Sequence, residues 1–304
     1  MTGYDHLHPS TVPLLELPAA ERIERVRTKR WIPYASIRDP YAAMRTLLDI
    51  PRQQRPENIL IEAPTNNGKS TLLERFEADH PPLHRPDQDK SLIPVLMICL
   101  PEHPTLIIVY QTILDRLGCP YAPSARRAEL RRAVVTNLEK VGTRVLLVDE
   151  LHNLALSGPQ ERDAILAFFR ALGNEPALRI SLVFAGTPGA RITTQSDPQL
   201  LNRFDVFQLR LWRDGDAFRE LLASFEALMP LREPSYLGDD DAIARDILSR
   251  GEGVIGEFFK IVSRAAVLAI ESGEERITLK TLSRIRYQAP SHRKVTIDDV
   301  PALP

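Results

Sequence analysis

The chain has two cysteines in 304 residues, too few for a disulfide framework. Cys99 lies in the apolar run IPVLMICL and Cys119 in the turn GCP. Both are expected as reduced thiols of a cytoplasmic protein. The seven histidines are scattered, and no Cys/His cluster has the spacing of a zinc site. No stretch approaches the ~20 apolar residues that a membrane span needs, so no membrane partner is expected. The opening MTGYDHLHPSTVPLLELP lacks a basic start followed by an apolar h-region, so no secretory signal is expected. No heptad or solenoid repeat is visible. An excess of one charge sign is also missing. The 39 basic and 40 acidic side chains leave a net charge of -1, so nucleic-acid binding would have to come from a local basic patch. Lysine is scarce, seven residues against 32 arginines. That bias suits bidentate contacts to phosphate and carboxylate, or it reflects a high-GC coding sequence.

What is present is the balance of a soluble globular protein, 43% hydrophobic and 26% charged, in a length that fits one large domain or two small ones. Residues 1–18 are Pro-rich and read as a flexible lead-in, and AAERIERVRTK (19–29) as a polar helix. The basic, aromatic RWIPYASI follows, with Pro33 breaking any helix. PYAAMRTLLDI (40–50) has helical spacing with Pro at its start. A βα alternation then takes over. NILIEA (58–63), IPVLMICL (93–100), RVLLVDE (144–150), RISLVFAGT (179–187) and FDVFQLRL (204–211) read as strands. The helices between them include one opening at Ser124, and the segment 81–91 reads as a polar loop. After about residue 212 only helical patterns remain. The expected fold is α/β, a five-stranded parallel sheet flanked by helices plus a small C-terminal helical lid. The expected divisions are an N-terminal extension 1–35, an α/β core 36–212, a lid 213–288 and a mobile tail 289–304.

The strongest motif is Ala63-Pro64-Thr65-Asn66-Asn67-Gly68-Lys69-Ser70-Thr71. It matches the phosphate-binding pattern G-x-x-x-x-G-K-[ST] except that Ala63 replaces the first Gly. It sits between a strand and a helix, the context the chemistry needs. The turn aims backbone N–H groups at phosphate oxygens, and the helix N-terminus adds partial positive charge. Lys69 would reach the β- and γ-phosphates of ATP, and Ser70 would ligate Mg²⁺. Downstream, four apolar residues deliver Asp149 and Glu150 to a strand's C-terminal end, where open α/β sheets bind ligands. Asp149 would hold Mg²⁺ and Glu150 would polarise the attacking water. His152 and Asn153 either touch this site or cap the next helix. Thr187 ends the fourth strand, where ATPases of the AAA+ class carry a water-orienting polar residue; it is otherwise a turn threonine. Arg203 precedes the fifth strand, where that class places an arginine that reaches a neighbouring subunit's γ-phosphate; Arg191 is the second choice, and a surface pair with Asp205 the alternative. The lid helix GVIGEFF carries Gly256-Glu257 where an ATP-sensing Arg is typical, and the nearest Arg is Arg264.

The runs LIEAPTNNGKSTLLERF, VLLVDELHNLALSG, FFRALGNE with ISLVFAGT, and LLNRF with SRGEGVIGEFFKIVSRAAVLAIESGEE resemble the TniB family, as does the opening LPAAERIERVRTKRWIPY. TniB proteins are AAA+ ATPase subunits of TniA/TniB/TniQ-type transposons and relatives of TnsC. The resemblance spans about residues 15 to 290, departing at Ala63 and in the tail. It implies an ATP-dependent regulator of transposition that binds double-stranded DNA with little sequence preference. It also implies self-association into a ring or helical filament, recruitment of a DDE transposase (TniA/TnsB-like), and target choice with a TniQ-like protein.

Phosphate contacts call for clustered Arg and Lys. The best local excess is 111–144, where Arg116, Arg126, Arg127, Arg131, Arg132, Lys140 and Arg144 face only Asp115, Glu129 and Glu139. A second candidate is Arg22, Arg25, Arg27, Lys29 and Arg30. Solvated helix faces are the alternative for both. Trp31 and Tyr34, just before the core, form either an adenine-pocket wall or packing for the N-terminal segment. An ATP-binding scaffold without turnover and a helicase-loader-like P-loop ATPase remain open as alternative functions. A small-molecule kinase fits less well, because Glu150 directly after Asp149 favours water activation over transfer to a substrate.

Overall fold

A computed structural model of the chain describes residues 4–28, 30–85, 90–190 and 202–293. The chain divides into two compact units, one of Ser36–Arg210 and one built from Met1–Ala35 with Leu211–Pro304. The first 35 residues, expected as an extension of their own, thus group with the C-terminal helices.

Helix α1 spans Ala19–Arg27 and α2 spans Ala35–Asp49. The α2 helix starts five residues before Pro40, which is buried inside it rather than opening it. The cause is the stripe Ile37, Pro40, Met44 and Leu47, all buried on one face; the proline is itself part of the apolar spacing. Strand β1 (Asn58–Glu62) leads into α3 (Lys69–Asp79). A small antiparallel hairpin follows, β2 (Leu83–Arg85) and β3 (Lys90–Leu92), with Leu83 opposite Leu92. The sequence reads this stretch as loop, because three-residue strands are too short to show a period. Then come β4 (Val95–Cys99), α4 (Leu106–Arg116) and α5 (Arg127–Lys140). The α5 helix opens after Arg126, not at Ser124, because Glu129 reaches back to accept the Arg126 N–H at 2.9 Å. Strand β5 (Val145–Asp149), a 3-10 turn (Leu151–Leu156), α6 (Pro159–Asn174), β6 (Ser181–Gly186) and β7 (Phe204–Gln208) complete this unit.

Among the described residues these strands form a five-stranded sheet of order β4-β5-β6-β1-β7, with every pair parallel. Strands β1, β5 and β6 are buried along their whole length, as central parallel strands covered on both faces must be. The edge strand β7 is largely exposed. A line of aromatic contacts runs from α4 through α6 to the sheet. Tyr110 meets Phe168 at 4.7 Å, Phe169 meets Phe184 at 5.4 Å, and Phe184 stacks on Phe204 at 4.9 Å. Each such ring contributes about 1.5–3 kcal/mol through burial.

The helical unit adds α7 (Asp216–Leu228), α8 (Asp241–Gly251), α9 (Ile255–Ser272) and α10 (Leu279–Arg284). Val26 and Ile32 join Phe218, Phe225, Phe258 and Ile261 in its core. The lead-in expected to be flexible is packed here. Leu15 is fully buried, the His8 N–H donates to the Ala227 carbonyl at 2.8 Å, and Arg232 donates to the Leu15 carbonyl at 3.0 Å. Two buried leucines, Leu7 and Leu15, help to fix this segment. Arg22 is buried against the Pro230 carbonyl and the Glu275 carboxylate. At Gly253 φ is +77°, and a Cβ would stand 2.8 Å from the Trp212 carbonyl oxygen, so only glycine fits this turn. The start of the expected tail also has structure: Pro290–Arg293 form a 3-10 turn. Residues 294–304 lie outside the described residues.

Candidate nucleotide-binding site

The phosphate-type turn joins β1 to α3 at the C-terminal edge of the sheet. Asn66 (φ 61°) and Gly68 (φ 92°) adopt left-handed backbone, which curls the chain into the concave arrangement of N–H groups that suits an anion. Gly68 also caps α3, so the helix N-terminus opens at this turn. Ala63 is buried and its N–H donates to the Gly186 carbonyl at 3.1 Å, tying the turn to β6. Pro64 is half-buried, Thr65 and Asn66 are exposed, and Ser70 and Thr71 are half-buried in the first turn of α3. Asn67 is buried, and its side-chain amide donates to the Leu209 and Arg210 carbonyls at 2.9 and 3.1 Å. Its side chain therefore anchors the turn below the residues after β7.

Lys69 is 5% exposed. Its Nζ donates to the Ala63 and Pro64 carbonyls at 2.8 and 2.9 Å. Burial lowers its pKa, and the charges of Glu150 and Asp149 oppose that shift. Strands β1 and β5 flank β6 and run parallel to it, so the turn after β1 and the acids at the end of β5 share one sheet edge. Asp149 is buried at the end of β5, and its Oδ1 accepts the Glu150 N–H at 2.8 Å. Glu150 takes left-handed backbone, φ 57° and ψ 35°, and turns out of the strand. Its Oε2 lies 3.1 Å from His152 Nε2. Thr187 follows the last residue of β6, and β6 lies between β1 and β5. It therefore stands at the same sheet edge, between the strands that carry the two motifs.

Among the described residues no group of three or more His, Cys, Asp or Glu could by itself hold a metal ion. One hydroxyl and one carboxylate, Ser70 and Asp149, suit Mg²⁺, which keeps several waters and binds through few protein ligands plus substrate phosphates.

The other expected residues belong to several further elements. The Arg203 carbonyl accepts the Asn58 N–H at 3.0 Å at the start of β1, the sheet edge opposite the phosphate turn. Its guanidinium donates to Asn174 Oδ1 at 3.0 Å. Arg191 and residues 197–201 lie outside the described residues. Arg116 forms a bidentate pair with Glu77, at 2.7 and 2.9 Å, and donates to the Met97 carbonyl; it fastens α4 to α3 and β4. Arg126, Arg127, Arg131 and Arg132 are exposed at the start of α5. Trp31 and Tyr34 belong to the helical unit. Trp31 lines a cavity of about 610 Å³ with Leu14, Arg25, Arg30 and Leu228, and Tyr34 meets Trp212 edge to face at 5.2 Å. In α9, Glu257 is buried and binds Arg293 and Tyr287. Cys99, which the sequence shows only as a thiol in an apolar run, pairs with Asp149 across the ladder; although the residue is exposed, partial desolvation and then both acids raise its thiol pKa. Strand register, not motif, is the signal for it.

Three solved structures are similar to this chain. Cdc6p from Pyrobaculum aerophilum is 20% identical with a TM-score of 0.62, over 85% of this chain and 69% of that one. ORC2 of Aeropyrum pernix, in ADPNP–ADP complexes, is 16% identical with a TM-score of 0.59, over 86% and 70%. ORC1 of Aeropyrum pernix, in complex with DNA, is 16% identical with a TM-score of 0.56, over 86% and 67%. At such identities the likeness concerns the fold. Together with the sheet order and the site at its C-terminal edge, it defines an AAA+ P-loop NTPase fold. No curated protein matches the chain in sequence. The family model of the bacterial TniB protein matches residues 22–214, well over half of the chain. The protein belongs to the TniB family.

No described helix is long and apolar enough to cross a membrane.

Proposed function

We propose that this protein is an ATP-hydrolysing regulator of DNA transposition that assembles on double-stranded DNA when ATP is bound. The observation that carries the reading is the placing of Lys69, after β1, and of Asp149 and Glu150, at the end of β5, on one sheet edge in a TniB-family chain. The turn 63–68 and the α3 N-terminus take the phosphates through backbone N–H groups. Lys69 leaves the Ala63 and Pro64 carbonyls and pairs with the β- and γ-phosphates. Ser70 and Asp149 hold Mg²⁺, which supplies charge neutralisation on the phosphate oxygens when bound. Glu150 accepts the proton of the attacking water, and Thr187 orients that water. Arg203, at the far edge of the sheet, serves a neighbouring copy's γ-phosphate, so turnover depends on assembly.

Duplex DNA is the polyanion for which the exposed arginines of α5, Arg126, Arg127 and Arg131, are suited. Arg116 contributes less, being committed to Glu77. One similar protein, ORC1 of Aeropyrum pernix, is described in complex with DNA, which supports the same class of ligand here. Family membership supports, as further parts of this proposal, ring or filament assembly, a DDE transposase and a TniQ-like protein as partners.

The direct test is binding of fluorescent duplex DNA with ATP and with ADP. The reading expects tighter binding with ATP, and equal affinity in both would refute a nucleotide-gated assembly. A second reading is a scaffold without turnover, in which the contact of Glu150 with His152 is an ordinary structural one. Glu150→Gln separates the two. Lost turnover with over-stable assemblies supports the ATPase, and no change supports the scaffold.

A further inference from the structure

A side chain that neither nucleotide-binding motif supplies stands beside the Glu150 carboxylate. The left-handed backbone at Glu150 ends β5 and starts the 3-10 turn. That geometry brings the side chain two residues on back over the carboxylate, and His152 Nε2 lies 3.1 Å from Glu150 Oε2. The other ring nitrogen, Nδ1, is enclosed without a hydrogen-bond partner among the described residues. The polar use of this imidazole is therefore directed at Glu150.

The turn is fixed in place. The Asn153 N–H donates to the Glu150 carbonyl at 2.9 Å, the Asn153 side chain donates to the Leu100 carbonyl at 2.9 Å, and Ser157 Oγ donates to the Pro104 carbonyl at 2.6 Å. On its other side it packs on Gly186, where a Cβ would stand 2.6 Å from the Ala190 Cβ and 3.4 Å from the His152 N. Gly186 immediately precedes Thr187, so the backbone of His152 rests on the strand end that carries Thr187.

We infer that His152 is a positioning residue for the hydrolytic carboxylate. Its Nε2–H donates to Glu150 Oε2, fixes the carboxylate rotamer and leaves Oε1 to accept the proton. In the step this serves, the water oxygen bonds to the γ-phosphorus and its proton moves to Oε1. The bond from that phosphorus to the bridging oxygen breaks, with its electron pair remaining on ADP. The inference rests on the proposed role of Glu150, and its test keeps the two apart.

Full-length protein with His152→Ala, His152→Gln and Glu150→Gln is assayed for steady-state ATP turnover, with and without duplex DNA, alongside ATP affinity and thermal unfolding. His152→Ala is expected to lower kcat about tenfold, the worth of one hydrogen bond to a charged group, with KM and ATP affinity unchanged. His152→Gln, whose amide N–H reaches a similar position, is expected to recover most of that loss. Unchanged kcat in His152→Ala, while Glu150→Gln abolishes turnover, would overturn the inference and leave the role of Glu150 intact. A fall in kcat, ATP affinity and unfolding midpoint together, without rescue by Gln, would make His152 structural and overturn it as well. Normal turnover in Glu150→Gln would remove the basis of both.

Discussion

Asn67 offers the sharpest test of how the phosphate turn is held. It is buried, and its amide donates to the Leu209 and Arg210 carbonyls at 2.9 and 3.1 Å. Those carbonyls follow β7, which pairs with β1 along its whole length, so the anchor itself is rigid. Asn67→Ala removes the donor of both bonds and leaves the backbone N–H groups of the turn in place. Two such bonds contribute about 1–3 kcal/mol net. If that energy orders the turn for phosphate, the Kd for ATP rises between about 5-fold and 150-fold, at about 1.4 kcal/mol per decade. Asn67→Asp should lose more, because it sets a charged acceptor against two carbonyls and adds negative charge beside the phosphates. A fluorescent ATP analogue titrated against wild type and both variants measures the effect, with thermal unfolding alongside. Wild-type affinity in Asn67→Ala, or a loss confined to stability, would refute the reasoning.

Other outcomes follow from the helical unit. Glu226 is buried and accepts the N–H groups of Ser235, Tyr236 and Leu237 at 2.6, 3.0 and 2.7 Å. Glu226→Gln sets an NH₂ group against donors and should cost about 2–3 kcal/mol; both tryptophans, Trp31 and Trp212, lie in this unit, so their emission during urea unfolding reads the loss, and an unchanged midpoint would count against it. Hydrogen bonds from Arg293 and then Tyr287 hold the Glu257 pKa near 2, below its ordinary 4.5. A depressed carboxyl contributes stability that is complete above the unfolded value and is lost as pH falls toward the folded one. Unfolding midpoints should therefore drop between pH 4.5 and 2, and Arg293→Gln should flatten that slope; identical slopes would contradict the pairing.

Much of the α/β unit is legible in the sequence because central parallel strands are continuous apolar runs, as NILIE and VLLVD show. The phosphate turn and the acids of β5 are legible because their chemistry needs fixed spacing along the chain. What stays hidden depends on distant partners. Arg116 reads as a phosphate contact until Glu77 is seen bound to it. The lead-in reads as unpatterned, yet the single side chain of Leu15 is fully buried. Pro40 reads as a helix start, yet it takes its place in the buried stripe of α2. His152 is visible as a residue near the acids, but its contact with Glu150 follows from the left-handed turn between them, which no local propensity announces.

The central claim is that ATP joins copies of this chain around duplex DNA. Electron microscopy of the protein with duplex DNA and a non-hydrolysable ATP analogue tests it most directly. The account predicts rings or filaments on the DNA that are absent with ADP and absent in Lys69→Ala. Single copies under every condition, or assemblies indifferent to nucleotide, would contradict it.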